Sequence, residues 1–113
     1  MTNRLVPTVD VNTLDQWLNT DEVILIDVRE EAEFAGNSIK EAILLPLSTF
    51  NPEQVPQVLN KKIVFQCRSG KRSEYACSIF LQKYPDAKAY NLEGGILEWL
   101  AANLPFHTTH PTY

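Results

Sequence analysis

The chain is expected to fold as an α/β domain, an open and mostly parallel sheet with helices on both faces. Three observations lead there. Residues 23–28 form a near-continuous apolar run, the mark of a parallel strand buried on both sides. Residues 63–66 form a second short run of the kind that favours a pleated, central strand. Apolar residues elsewhere recur at helical spacing, so strands alternate with helices along the chain.

Taken in order, residues 1–7 read as a loose lead-in and 8–11 as a short edge strand. Asn12 or Thr13 can cap a helix that carries Leu14, Trp17 and Leu18 on one face and ends near Asn19. Asp27 interrupts the first buried strand near its end, with Arg29 just beyond. A buried charge needs a partner first, so the reading preferred for Asp27 is structural, over one that shapes the site. Residues 30–36 suggest a short helix, with Glu30, Glu31 and Glu33 near its start, where the helix dipole favours carboxylates. Residues two apart on a helix do not face each other, so Glu31 and Glu33 read as solvated or bracing and not as an acid/base pair.

Residues 42–45 give another strand, ended by Pro46, and 47–59 a connection. Within it Pro52 is placed to start a helix whose regularity Pro56 limits. A helix over 71–84 carries Ala76, Cys77, Phe80, Leu81 and Tyr84 inward and stops before Pro85. Residues 87–92 supply the final strand. Gly94-Gly95 then turns into a last helix, packed through Ile96, Trp99 and Leu100, that ends at Leu104-Pro105. The tail with His107 and His110 reads as disordered and polar, since two histidines are too few ligands for a metal.

At 113 residues the chain makes one domain, 1–113, with a core at about 8–104 and flexible termini. Apolar residues at 44% and charged residues at 21% suit a soluble globular protein. A net charge of −4 argues against nucleic acid or an anionic membrane as partner. It also makes any local cluster of cations informative. Cys67 and Cys77 lack metal-site spacing, and a domain of this size needs no disulfide. No N-terminal apolar stretch has the length of a signal peptide or a membrane span, so a reducing cytoplasm is the expected setting.

The most informative stretch is Cys67-Arg68-Ser69-Gly70-Lys71-Arg72-Ser73. Cys67 stands where a strand ends and a helix begins, the place where open α/β sheets bind ligands. The nucleophilic form of cysteine is the thiolate. The following helix aims its positive end and unpaired N–H groups at the loop. Gly70 lets successive N–H groups converge, Ser69 and Ser73 add hydroxyls, and Arg68, Lys71 and Arg72 place three cations within five residues of the sulfur. The arrangement reads as a cradle for an anionic sulfur or an oxyanion, in preference to a strand-end core cysteine. Cys77 lies ~9 Å further along the helix by its rise per residue, too far to resolve an oxidised Cys67, and reads as core.

This loop resembles the active-site loop of the single-domain rhodaneses, sulfurtransferases that carry sulfur as a cysteine persulfide. Ile24-Leu25-Ile26-Asp27-Val28-Arg29 with Glu33-Phe34 resembles the family's first signature, and Leu92-Glu93-Gly94-Gly95-Ile96 with Trp99 its last. The match covers residues 8–104. One segment departs: the family's Gly-His-Ile-x-Gly-Ala is here Asn37-Ser38-Ile39-Lys40-Glu41-Ala42.

The resemblance implies a rhodanese-like fold with five strands, and an Asp27–Arg29 pair that braces the fold beside the site. It implies Cys67 as nucleophile toward thiosulfate or another persulfide donor, with Arg68, Ser69, Gly70, Lys71, Arg72 and Ser73 binding the substrate. A thiol, a protein or cyanide then accepts the sulfur, with neither cofactor nor metal. In the family a six-residue loop, as from Cys67 to Arg72, separates sulfur chemistry from the phosphatases and arsenate reductases, whose loop is one residue longer. Those activities, and a non-catalytic interaction module, are the alternatives.

Overall fold

The computed structural model describes residues 6–108. Five parallel strands form one sheet: β1 (Thr8–Val9), β2 (Val23–Asp27), β3 (Ile43–Leu44), β4 (Lys62–Gln66) and β5 (Ala89–Leu92). Their order across the sheet is β1-β5-β4-β2-β3. The two apolar runs lie side by side at its centre, with Val23 opposite Lys62 and Asp27 opposite Gln66. Four helices connect them: α1 (Val11–Asn19), α2 (Glu31–Gly36), α3 (Lys71–Lys83) and α4 (Gly95–Ala101).

Alternate residues of the central strands feed two cores, which is why residues 23–26 and 63–65 are apolar without alternation. Ile63 and Phe65 of β4 pack with Ala76, Cys77 and Phe80 of α3. Val64, on the other face, packs with Leu14 of α1 and with Ile96 and Trp99 of α4. Phe65, Phe80 and Trp99 are completely or almost completely buried. Truncation of any of them to alanine is worth about 3–5 kcal/mol of stability. With helices on both faces, all five strands run toward the end of the sheet that carries Cys67.

Several local expectations change. The cap of α1 is Asp10, which accepts a 2.8 Å bond from the Thr13 amide, and not Asn12 or Thr13. β1 stops at Val9 and Val11 is already buried, so the helix has to start that early. The connection after β3 holds only 3-10 turns at Leu47–Thr49 and Pro52–Gln54. Pro56 allows the second no further turn. α4 ends at Ala101 and not near Leu104, because Asn103 turns left-handed (φ 59°) and the Leu104 amide folds back onto Trp99 O.

The tail expected to be disordered is engaged as far as it is described. His107 pairs with Ser38 through both backbone groups, at 2.7 and 2.9 Å, and Thr108 donates its hydroxyl to Gly36 O. Trp99 Nε1 donates to Pro105 O at 2.8 Å, which steers the segment there. His110 lies outside the described residues. No helix is long and apolar enough to cross a membrane among those residues.

Candidate active site

The central strand β4 delivers Cys67 directly into the loop, and α3 begins at Lys71. Gly70 makes the corner with φ 105°, a backbone conformation that costs any residue with a Cβ. Cys67 Sγ then has three donors within reach: the Gly70 amide at 3.1 Å, the Ser73 amide at 3.3 Å and the Ser73 hydroxyl at 3.3 Å. Cys67 is only 1% exposed. Burial pushes its thiol up, but the Ser73 hydroxyl and the amides of Ser73, Gly70 and Ser69 outweigh it and hold the thiol below its ordinary value.

The N–H groups can face the sulfur because the loop's oxygens are engaged elsewhere. Cys67 O accepts from the Ile96 amide at 2.9 Å and from Gln66 Nε2 at 3.0 Å. Arg68 O accepts from the Leu97 amide at 3.1 Å. Gly70 O accepts from Asn91 Nδ2 at 3.0 Å. The first turn of α4 therefore sits directly on the loop. A Cβ at Gly95 would lie 2.4 Å from Arg68 O and 2.6 Å from Cys67 O, so no side chain fits there. The second glycine of Gly94-Gly95 is thus part of the cysteine loop's support, which its role as a turn does not suggest.

The three cations of the loop behave differently. Arg72 is locked to Glu33 by two parallel bonds of 2.8 and 2.9 Å. The guanidinium holds the Glu33 carboxyl down at about 2. Glu33 Oε1 also accepts from the Glu30 amide at 3.0 Å, so α2 is tied to the start of α3. Arg68 and Lys71 have no ion pair among the described residues and stand exposed. The lowering of the thiol comes from hydrogen-bond donors, where the sequence suggested these cations as well. Ser69 contributes its amide, while its side chain is exposed and not a donor to the sulfur.

Asp27 and Arg29 form a closed buried pair. Arg29 Nη2 and Nε lie 2.8 and 3.1 Å from Asp27 Oδ2, and the Arg29 amide donates to Oδ1 at 2.9 Å. Two further guanidinium hydrogens go to Asn37 Oδ1 at 3.0 Å and Asn37 O at 2.7 Å. Asp27 thus ties the end of β2 to Arg29 and, through it, to Asn37. Asn37 is where the chain leaves the family pattern, and it is the residue the brace holds. Glu41 stands where that pattern has glycine and still adopts the left-handed conformation, φ 69°.

Beside the loop lies a cleft of about 360 Å³ between α2 and α4, lined by Arg68, Glu33, Asn37, Ala32, Leu97 and Leu100. A larger hollow of about 610 Å³ lies at the opposite end of the sheet, around Leu59, Lys62 and Lys88. No cysteine lines it. The smaller cleft is the one that borders the Cys67 loop.

Asn91 is the site residue missed in the sequence. It sits mid-strand in β5, buried, and joins Gly70 O to the Ser73 hydroxyl, which is 2.6 Å from its Oδ1. The signal was a polar residue breaking a buried strand next to Gly94-Gly95, the same signal that drew attention to Asp27.

Residues 10–102 match the family model described as Rhodanese-like domain. A protein of Allochromatium vinosum named sulfurtransferase is 36% identical over 89% of this chain and 94% of its own length. An uncharacterised protein of Synechocystis, slr1261, is 45% identical over 87% of this chain. The chain spans 54% of that relative, and about a third of relatives named tRNA uridine(34) hydroxylase. Among solved structures, the human single-domain sulfurtransferase TSTD1 superposes with a TM-score of 0.70 at 28% identity, over 84% of this chain and 96% of that one. Sheet order, cysteine loop and sequence match agree, and the chain belongs to the Rhodanese-like domain family.

Proposed function

We propose that the protein is a sulfurtransferase that acts as a single domain and carries sulfane sulfur on Cys67. The observation that carries this reading is the convergence of N–H and O–H donors on Cys67 Sγ. Donors fixed in advance stabilise charge without reorganising, and here the charge is a sulfur anion. The Sγ thiolate attacks the outer sulfur of thiosulfate. Its S–S bond breaks, sulfite leaves with the bonding pair, and a Cys67–S–S⁻ persulfide remains. A thiolate acceptor, or cyanide, then attacks the terminal sulfur, and Sγ leaves as the thiolate.

Arg68 and Lys71, without an ion pair among the described residues, draw the dianionic donor toward the loop. Arg72 serves mainly to close it, because Glu33 already balances its charge. The cleft bounded by Arg68, Leu97 and Leu100 gives an acceptor a way in. A mechanism that needs a free thiol suits a reducing compartment such as the cytoplasm.

The test is to incubate the protein with thiosulfate and weigh it intact. One added sulfur is expected, lost again on addition of cyanide. No added mass would support an interaction module instead. Turnover of an aryl phosphate through Cys67 would move the assignment to phosphate chemistry.

A further inference from the structure

Ser73 Oγ stands 2.6 Å from Asn91 Oδ1 and 3.3 Å from Cys67 Sγ. Two oxygens this close need a proton between them. The other end of the Asn91 amide sets its orientation, because Nδ2 lies 3.0 Å from Gly70 O, which can only accept. Turned over, the amide would place two carbonyl oxygens against each other. Asn91 Oδ1 therefore faces Ser73 and can only accept, so the serine supplies the proton. A hydroxyl has one proton to give. Cys67 Sγ is then left facing the lone pairs of Ser73 Oγ, which suits a neutral S–H and not a thiolate. Ser73, Cys67 and Asn91 are 0%, 1% and 5% exposed, so each depends on the others for partners.

We propose that Asn91 is a positioning residue for Cys67: its carbonyl holds the Ser73 proton while Sγ is uncharged and gives it up when Sγ becomes a thiolate. The inference rests on the sulfur-transfer reading and deepens it. In the empty thiolate the Ser73 O–H turns to Sγ, and Asn91 Oδ1 loses its donor. Loading joins Sγ to a second sulfur, the negative charge moves to that outer atom, and the Ser73 proton returns to Asn91. Asn91 thus opposes ionisation of the empty thiol and favours the loaded state over the empty anion. Ser73 exchanges only hydrogen-bond partners, and its O–H bond stays intact throughout.

The test reads the rate of Cys67 alkylation by iodoacetamide against pH, in the intact chain and with no sulfur donor present. Asn91→Leu removes the competing acceptor at similar size. Its profile is expected to move to lower pH, with the rate on the acidic limb up roughly tenfold, the scale of one hydrogen bond to a charged group. With Ser73→Ala already in place, adding Asn91→Leu should change nothing. A shift of equal size in that background would mean that Asn91 acts through the Gly70 backbone, and would overturn the proposal. Should Asn91→Leu not fold, Asn91→Asp keeps a stronger acceptor and is expected to move the profile to higher pH; an acidic shift would overturn it equally. Because thiosulfate takes no part, a protein that never loads sulfur still answers this question, and the two readings fail separately.

Discussion

Cys67 and Cys77 are the same side chain ten residues apart, and both are hidden from solvent. Their thiols nevertheless move in opposite directions. Burial, helped by the charge of Glu74, pushes Cys77 up to about 12. Burial is also the largest single effect on Cys67, yet its thiol ends below the ordinary value. What differs is the supply of donors. Cys77 lies inside α3, where backbone N–H groups are committed to carbonyls one turn back. Cys67 precedes the helix, where the first N–H groups have no such partner and Gly70 aims one of them at the sulfur. The thiol of a hidden cysteine is thus pushed up or held down according to the unspent donors around it, and depth alone does not decide.

The largest test of this contrast is to remove each sulfur in turn. Cys67→Ser should abolish loading from thiosulfate, read by intact mass, with little loss of stability because the site is polar. Cys77→Ser should load normally per folded molecule yet unfold more easily, by about 1–3 kcal/mol, since it buries a hydroxyl in an apolar core. The reverse pattern would exchange their roles.

Next in size is Gly95→Ala. The added methyl meets Arg68 O and Cys67 O, and φ is 60° there. The loop has to shift away, its amides leave Sγ, and Cys67 should come to resemble Cys77. The expected readout is alkylation at neutral pH slowed by more than tenfold, as two or more bonds to a charged group are lost.

Smaller again is Glu33→Gln, which releases Arg72. The freed guanidinium should raise the Cys67 alkylation rate by about two- to fivefold, as expected of a partly exposed charge, and leave Cys77 untouched. The same variant tests acid stability. The Glu33 carboxyl is lowered from 4.5 to about 2, so it stabilises the fold fully above 4.5 and loses that contribution as pH falls through 2. Urea melts of parent and variant should therefore differ at neutral pH and converge near pH 2.

The smallest effect belongs to a control far from either sulfur. Glu41→Gly relieves a left-handed backbone at some cost in chain entropy, for a net gain of about 0.5 kcal/mol. Both thiols should titrate as before.

Much of this was legible in the chain because it was local. The strand ending at Gln66, the corner at Gly70 and the helix from Lys71 lie within a dozen residues, and propensity and spacing report directly on such stretches. The parallel sheet and the place of Cys67 at its edge follow from that. The partners that hold the loop are distant instead. Asn91 is 18 residues from Ser73, and Glu33 is 39 from Arg72. Glu33 reads as either solvated or bracing because nothing in α2 itself names an arginine beyond β4. Ser38 and His107 meet through backbone alone, which leaves no side-chain signature to read. Spacing also located three cations near the sulfur without telling that one of them was already neutralised.

The outermost strands, Thr8–Val9 and Ile43–Leu44, are each two residues long. So short a margin offers a foreign strand almost no ladder to extend, which guards against sheet-to-sheet aggregation. Under the proposed function, a macromolecule that took sulfur from Cys67 would have to recognise side chains around the loop, and could dissociate once the transfer was done.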